Sequence, residues 1–192
     1  AWVQHMIASA NPKTGRIAVV LPQGALFRQG AEAKIRRAIL QADLIDAVIG
    51  LAPNLFYGTG LAACVLILKL NKQSEEEGKV LFINAEDLHK KGRNQNSLEP
   101  EHADEILATY ELYRDREGRA HVVGLDEIKA NDYNLNIPLY VAPADDGKKI
   151  TLAEALANLE AAQAHARQTR AAMEAELVKW ALGQDPTKEV GA

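Results

Sequence analysis

The sequence predicts an α/β fold: a largely parallel sheet with one reversed strand, followed by a long coiled-coil-like helix. Three observations carry this expectation. Short apolar runs rich in β-branched residues occur at 15–24, 44–51, 61–70 and 79–85, as in strands covered on both faces. An amphipathic segment at 29–43 separates the first two runs, the order of a strand–helix–strand unit. From Thr151 the composition shifts to Ala, Glu, Gln, Leu and Arg, with a seam spaced alternately by four and three, the signature of a helix that pairs along its length.

The elements follow in order. "AWVQHMIASANPKTG" sets Trp2, Val3, Met6, Ile7 and Ala10 at helical spacing and closes at Asn11-Pro12. Nothing before it could cap that helix and there is no initiator methionine, so the chain is expected to be a fragment. "GRIAVVLPQG" reads as a central parallel strand ended by Pro22. The helix at 29–43 turns Ile35, Ile39 and Leu40 inward, and "LIDAVIGL" (44–51) is the second buried strand. Strand, helix and strand imply a right-handed crossover in a parallel sheet. The third strand, "LAACVLILKL" (61–70), follows a loop of about ten residues with no helix. Strands joined that way run antiparallel, so a reversed strand is expected near one edge.

"QSEEEG" (73–78) is a polar turn, "KVLFINA" (79–85) a fourth strand, and "EDLHKKGRNQNSL" (86–98) a polar, basic loop. Residues 99–115 form a helix with acid in its first turn, which suits the helix dipole. Residues 121–141 read as a short strand, a short helix and an extended segment, in which Asn, Asp and Tyr side chains bind backbone groups. The domains are therefore 1–142, a polar hinge at 143–150, a helix at 151–182 and a frayed tail at 183–192. The helical seam is Leu152, Leu156, Leu159, Gln163, Ala166, Arg170, Met173, Leu177 and Trp180, and Thr151 with Glu154 matches a capping box. Polar Gln163 and Arg170 weaken the seam alone. The helix either folds back on its own domain or packs on a partner helix.

Composition excludes several classes. A net charge of −4 argues against binding nucleic acid over the whole surface but leaves a local basic groove open. A single cysteine, Cys64, rules out an internal disulfide and suits a reducing cytoplasm. It lies within a strand and reads as a small buried hydrophobe. No apolar run reaches transmembrane length. The five histidines have no metal-ligand spacing, and neither a P-loop nor a nucleophile elbow occurs. "GTG" (58–60) alone does not make a phosphate loop. Spacing alone reveals no catalytic site. "NLFYGTG" (54–60) sets Phe56 and Tyr57 on a glycine-rich loop; from the residues alone, Phe56 caps the end of the sheet as core.

A family likeness now enters. "GRIAVVLPQGALFRQGAEAKIRRAIL", "LIDAVIGLAPNLFYGTGLAACVLIL", "KVLFINA", "GRNQN" and "NDYNLNIPLYV" occur in that order. Together they resemble the C-terminal half of the modification subunit of type I restriction-modification enzymes, an adenine-N6 DNA methyltransferase. The likeness covers residues 1–141 by motif and the tail helix by character only. It implies half of a Rossmann-like, S-adenosylmethionine-dependent methyltransferase sheet with a reversed strand. The family's glycine-rich cofactor turn and Asn-Pro-Pro-aromatic loop are not in this sequence; "SANPKTG" has one Asn-Pro and no second proline or aromatic. Both are expected upstream of residue 1. S-adenosylmethionine is then bound mainly by that upstream part, and this chain alone is expected to be inactive.

The resemblance also implies a site. An enzyme that modifies a base takes it out of the stack and holds it between flat apolar groups. The likeness sets Phe56, or its neighbour Tyr57, against a flipped adenine, with Gly58 and Gly60 allowing close approach. The core-capping alternative for Phe56 stays open. Lys90, Lys91, Arg93, Asn94, Gln95 and Asn96 are candidates for DNA-backbone contact, or else form a solvated loop. The implied partners are DNA, a specificity subunit, a motor-nuclease restriction subunit and a second copy of the subunit, with no membrane. Leu152, Leu156, Leu159, Met173, Leu177 and Trp180 form the partner-facing stripe. The alternative function is a non-catalytic interaction module. A nicotinamide dehydrogenase fragment is disfavoured because no GxGxxG is present.

Overall fold

The computed structural model describes residues 2–142 and 151–180, in two units that divide at Asp145 and Asp146. The expected hinge (143–150), the helix end at 181–182 and the tail (183–192) lie outside the described residues.

The first unit begins with helix α1 (Trp2–Ser9), then β1 (Arg16–Pro22), α2 (Ala31–Gln41), β2 (Ile45–Leu51), β3 (Ala63–Lys69) and β4 (Lys79–Ala85). It continues with α3 (Pro100–Leu112), β5 (Ala120–Gly124) and α4 (Leu125–Ala130). The strand order is β1-β3-β2-β4-β5. β3 is antiparallel to both β1 and β2, β2 is parallel to β4, and β5 is antiparallel to β4. The sheet is mixed and not largely parallel: among the described residues β2 and β4 alone pair in parallel, and β5 is a second reversed strand beside β3; helices lie on both faces. α2 supplies Ile39 and Leu40 to a core with Val48, Leu66, Leu68 and Phe82. On the other face Ile106 and Tyr110 of α3 pack on Ala47, Ile49, Leu81 and Ile83. The split follows from the period-two alternation of strand side chains.

Two further expectations change. β1 is not central. It ends the strand order and, among the described residues, pairs with β3 alone. Its residues alternate between exposed and half-buried rather than being covered on both faces. The cause is β3, which slots between β1 and β2. Those two strands share a direction, as a strand–helix–strand unit requires, but do not touch as neighbours. The second change is at 131–138, which is not extended. Asp132 and Tyr133 have φ of 52° and 55°, and Tyr133 N–H donates to the Ile128 carbonyl at 2.9 Å, turning the chain back at the end of α4. The Leu135 N–H then donates to the Leu26 carbonyl at 3.0 Å, which carries Leu135 and Ile137 into the core. The expected backbone contacts of the segment's side chains hold for Asn134, whose Oδ1 accepts from Asn136 N–H at 2.9 Å, but Asp132 accepts from the Arg37 guanidinium at 2.9 Å and the Tyr133 hydroxyl from Gln41 Nε2 at 3.3 Å; beyond the segment the Tyr140 hydroxyl donates to the Asn134 carbonyl at 2.5 Å.

A buried ionic cluster ties β2, β3 and α3 together. The register of β2 shifts between Ile45 and Ala47, and Asp46 at the shift is fully buried. The Tyr110 hydroxyl donates to Asp46 Oδ2 at 2.5 Å, and the Tyr113 hydroxyl to the Asp46 carbonyl at 3.2 Å. Lys69 Nζ stands 3.2 Å from Asp46 Oδ1, an ion pair without hydrogen-bond geometry, and donates to both Glu76 oxygens at 2.8 Å.

The second unit is helix α5 (Leu152–Lys179). Its capping box is present: Thr151 Oγ1 accepts from Glu154 N–H at 3.3 Å, and Glu154 Oε2 accepts from Thr151 N–H at 2.9 Å. Along the seam Leu152, Leu156, Leu159, Met173 and Trp180 are exposed and Leu177 is half-buried. No described helix is long and apolar enough to cross a membrane.

Candidate functional site

Strands β1, β2 and β4 run in one direction, so the segments that follow them emerge at one end of the sheet. In open α/β sheets ligands bind outside the carboxyl ends of parallel strands. Three segments meet there. After β1 comes the 3-10 turn Gln23–Leu26, and Gln23 Nε2 donates to Glu86 Oε1 at 2.8 Å, joining it to the segment after β4.

The segment after β2 carries the aromatic pair. Asn54 takes φ 59°, a left-handed turn that asparagine tolerates better than most residues. Beyond it Leu55 is half-buried, whereas Phe56 is 42% and Tyr57 94% exposed. Gly58 has φ 77°, where a side chain would be strained, while a Cβ at Gly60 would meet open space. The backbone therefore requires glycine at 58; at 60 glycine leaves room without being demanded.

The segment after β4 doubles back on itself. Lys90 and Ser97 exchange backbone hydrogen bonds at 2.9 and 3.0 Å. Gly92 sits at its tip, where a Cβ would fall 1.9 Å from the Gln95 carbonyl oxygen. At its base the Ser97 hydroxyl donates to Glu99 at 2.7 Å and, with Lys90, holds the Glu99 carboxyl below its ordinary pKa.

The two loops frame a hollow of about 520 Å³. Leu51, Leu55, Phe56 and Tyr57 form one wall; Gln95, Asn96, Ser97 and Leu98 form the other. The lining holds no charged side chain. Phe56 also lines a second hollow of about 190 Å³ with Val20, Leu61 and others. Phe56 is thus a ledge between two hollows and not a buried cap.

The basic loop divides in two. Lys90, Lys91, Arg93 and Asn94 are exposed and lie outside the hollow's lining; Lys90 Nζ is 3.8 Å from Glu99. Gln95 and Asn96 are half-buried, and each turns one of its two amide donors inward to the other loop. Gln95 Nε2 donates to the Leu55 carbonyl at 2.6 Å and Asn96 Nδ2 to the Pro53 carbonyl at 2.9 Å. Leu51, Leu55, Ser97 and Leu98 were not singled out from sequence. Apolar residues at strand ends carry no signal that separates a hollow's wall from core. Among the described residues no cluster of His, Cys, Asp and Glu could hold a metal ion. Cys64 is fully buried in β3, and burial pushes its thiol up to about 11, so it stays protonated.

The mixed sheet and this hollow define an α/β domain with a candidate ligand site at the carboxyl ends of its parallel strands. The chain belongs to the N-6 DNA Methylase family, whose sequence profile matches residues 1–149. It is 46% identical over 159 residues to the type I restriction enzyme MjaVII methylase subunit of Methanocaldococcus jannaschii, covering 81% of this chain and 27% of that protein. It is 34% identical over 190 residues to the HindI methylase subunit of Haemophilus influenzae, covering 93% of this chain and 42% of that protein. Among solved structures it resembles the type I restriction-modification methyltransferase subunit of Streptococcus thermophilus at a TM-score of 0.70. That match has 41% identity over 74% of this chain and 29% of the other. The EcoKI M protein shares the fold at a TM-score of 0.59 with 18% identity, over 98% of this chain and 45% of that one. The chain thus spans less than half the length of each of these relatives.

Proposed function

We propose that these residues are the C-terminal part of a type I modification subunit that transfers a methyl group from S-adenosylmethionine to adenine N6 in duplex DNA. On this reading the sheet is half of a Rossmann-like methyltransferase sheet, with β3 as its reversed strand, and the subunit works in the cytoplasm. The observation that carries the proposal is the exposed Phe56 ring beside an uncharged hollow at the carboxyl ends of the strands. A flipped base needs a flat apolar support, and Phe56 provides it, with Tyr57 beside it. The same lining tests the cofactor. It has no charge to pair with the zwitterionic end of S-adenosylmethionine, so it fits the base and not the cofactor. The glycine-rich turn and the Asn-Pro-Pro-aromatic loop are not among these residues. These residues hold and orient the base; the cofactor supplies the methyl group from a site formed elsewhere in the subunit.

Phe56→Ala in the full-length subunit, assembled with its specificity subunit, is expected to lower methylation by about 10- to 100-fold, since base–aromatic stacking is worth about 1–3 kcal/mol. Transfer of labelled methyl groups at limiting DNA measures it, and a wild-type rate would return Phe56 to a packing role.

Helix α5 is the proposed docking element for the specificity subunit. Its exposed leucines at heptad spacing support this. Leu156→Asp or Leu177→Asp is expected to reduce co-purification of the tagged specificity subunit several-fold. Undiminished recovery of both variants in the complex would remove the seam from the interface.

A further inference from the structure

We propose that Gln95 and Asn96 are positioning residues for the aromatic loop, acting on the target base through Phe56. This rests on the base-stacking reading above.

The geometry is specific. Four hydrogen bonds cross between two loops forty positions apart in the chain. Gln95 Nε2 reaches the Leu55 carbonyl at 2.6 Å and Asn96 Nδ2 the Pro53 carbonyl at 2.9 Å. The Asn96 N–H donates to the Asn54 carbonyl at 2.8 Å, and Asn54 Nδ2 returns to the Asn94 carbonyl at 3.2 Å. The residues so held, 53 to 55, immediately precede Phe56 and include the left-handed Asn54. Phe56 itself is two-fifths exposed, too little buried for packing alone to fix its ring. The clamp is itself rigid: Gly92 lets the second loop turn so tightly that a Cβ would strike the Gln95 carbonyl, and the Lys90–Ser97 pair closes its stem. An exposed ring that must meet a base in one orientation gains from a backbone fixed on both sides of a special φ. Phosphate contact does not need donors turned inward.

The test is a double-mutant cycle in the full-length subunit with its specificity subunit, on duplex DNA carrying its own recognition sequence. Gln95→Glu and Asn96→Asp keep side-chain shape and replace the donor by an acceptor facing a carbonyl. Each is expected to lower the methyl-transfer rate at saturating DNA about tenfold, and to add almost nothing in a Phe56→Ala background. With 2-aminopurine at the target position, each single variant is expected to brighten emission towards the Phe56→Ala level, because the flipped base stacks less. Equal factors lost in both backgrounds, or wild-type rates for Gln95→Glu and Asn96→Asp, overturn the positioning role while leaving base stacking intact. A wild-type rate for Phe56→Ala overturns base stacking and the positioning role with it. Gln95→Leu and Asn96→Ala, with matched melting temperatures, serve if the acidic variants fail to fold. The same cycle outcomes then decide.

Discussion

Lys69→Met is expected to destabilise the domain by about 3–5 kcal/mol, the cost of leaving a buried charge without its partner. Asp46 is fully buried and Lys69 is 11% exposed at its side chain, so water cannot take over from the lost ammonium. Glu76 loses its only ion pair among the described residues at the same time. Urea unfolding followed by circular dichroism measures the loss, and a shift below about 1 kcal/mol would mean that Tyr110 alone compensates Asp46. The wild-type cluster also sets a pH dependence. Burial by itself lowers the Lys69 pKa, but the Glu76 hydrogen bonds and the Asp46 charge outweigh it and leave the value raised. Burial and the Asp46 charge likewise raise Tyr110 and Tyr113. Groups with raised folded values contribute fully below their unfolded values, 10.0 for the tyrosines and 10.5 for the lysine. That contribution is lost as pH rises through the folded ones. Wild-type stability is thus expected to fall from pH 10 upward.

Phe82→Ala is expected to cost about 3–5 kcal/mol, lowering the melting temperature by roughly 10 °C. Phe82 lies mid-sheet in β4 with no exposed surface and stacks on Tyr140 at a centroid distance of 4.2 Å. Removing the ring leaves a cavity between the sheet and the turn that carries Ile137 and Tyr140, and strands on both sides limit its collapse. Phe82→Leu, which refills most of that volume, is expected to recover more than half of the loss. Equal melting temperatures for the two variants would show that the turn simply closes over the gap.

These sites differ in how openly the sequence displays them. β4 runs from Lys79 to Ala85 around the continuous apolar run Val80–Ile83, which shows because a strand covered on both faces has an unbroken apolar centre. β1 misleads for the same reason. Ala18 and Val20 occupy its exposed side, and Val20 is 52% exposed. An alternating strand with apolar residues on its open face looks covered on both. The turn at Asp132 and Tyr133 was hidden because left-handed tyrosine is rare and the local pattern resembles a strand. Phe56 and Tyr57 stood out because large rings beside Gly58 and Gly60 are poorly placed for packing. Their companions did not. The partners of Gln95 and Asn96 lie about forty residues away, and no local pattern reports where an amide will turn. The helix of α5 and its capping box rest on purely local signals, and both are present.

The insertion of β3 between β1 and β2 also dictates an order of assembly. As the chain leaves the ribosome, β1 and β2 emerge first and cannot pair with each other, since the gap between them is one strand wide. The edges they turn to β3 have no partner until residue 69 has been made, and the edge of β2 that faces β4 has none until residue 85. β3 enters between them from the opposite direction. A chain that stops short of Lys69 leaves β1 and β2 with open edges where β3 would lie, the kind of edge that invites pairing with another chain.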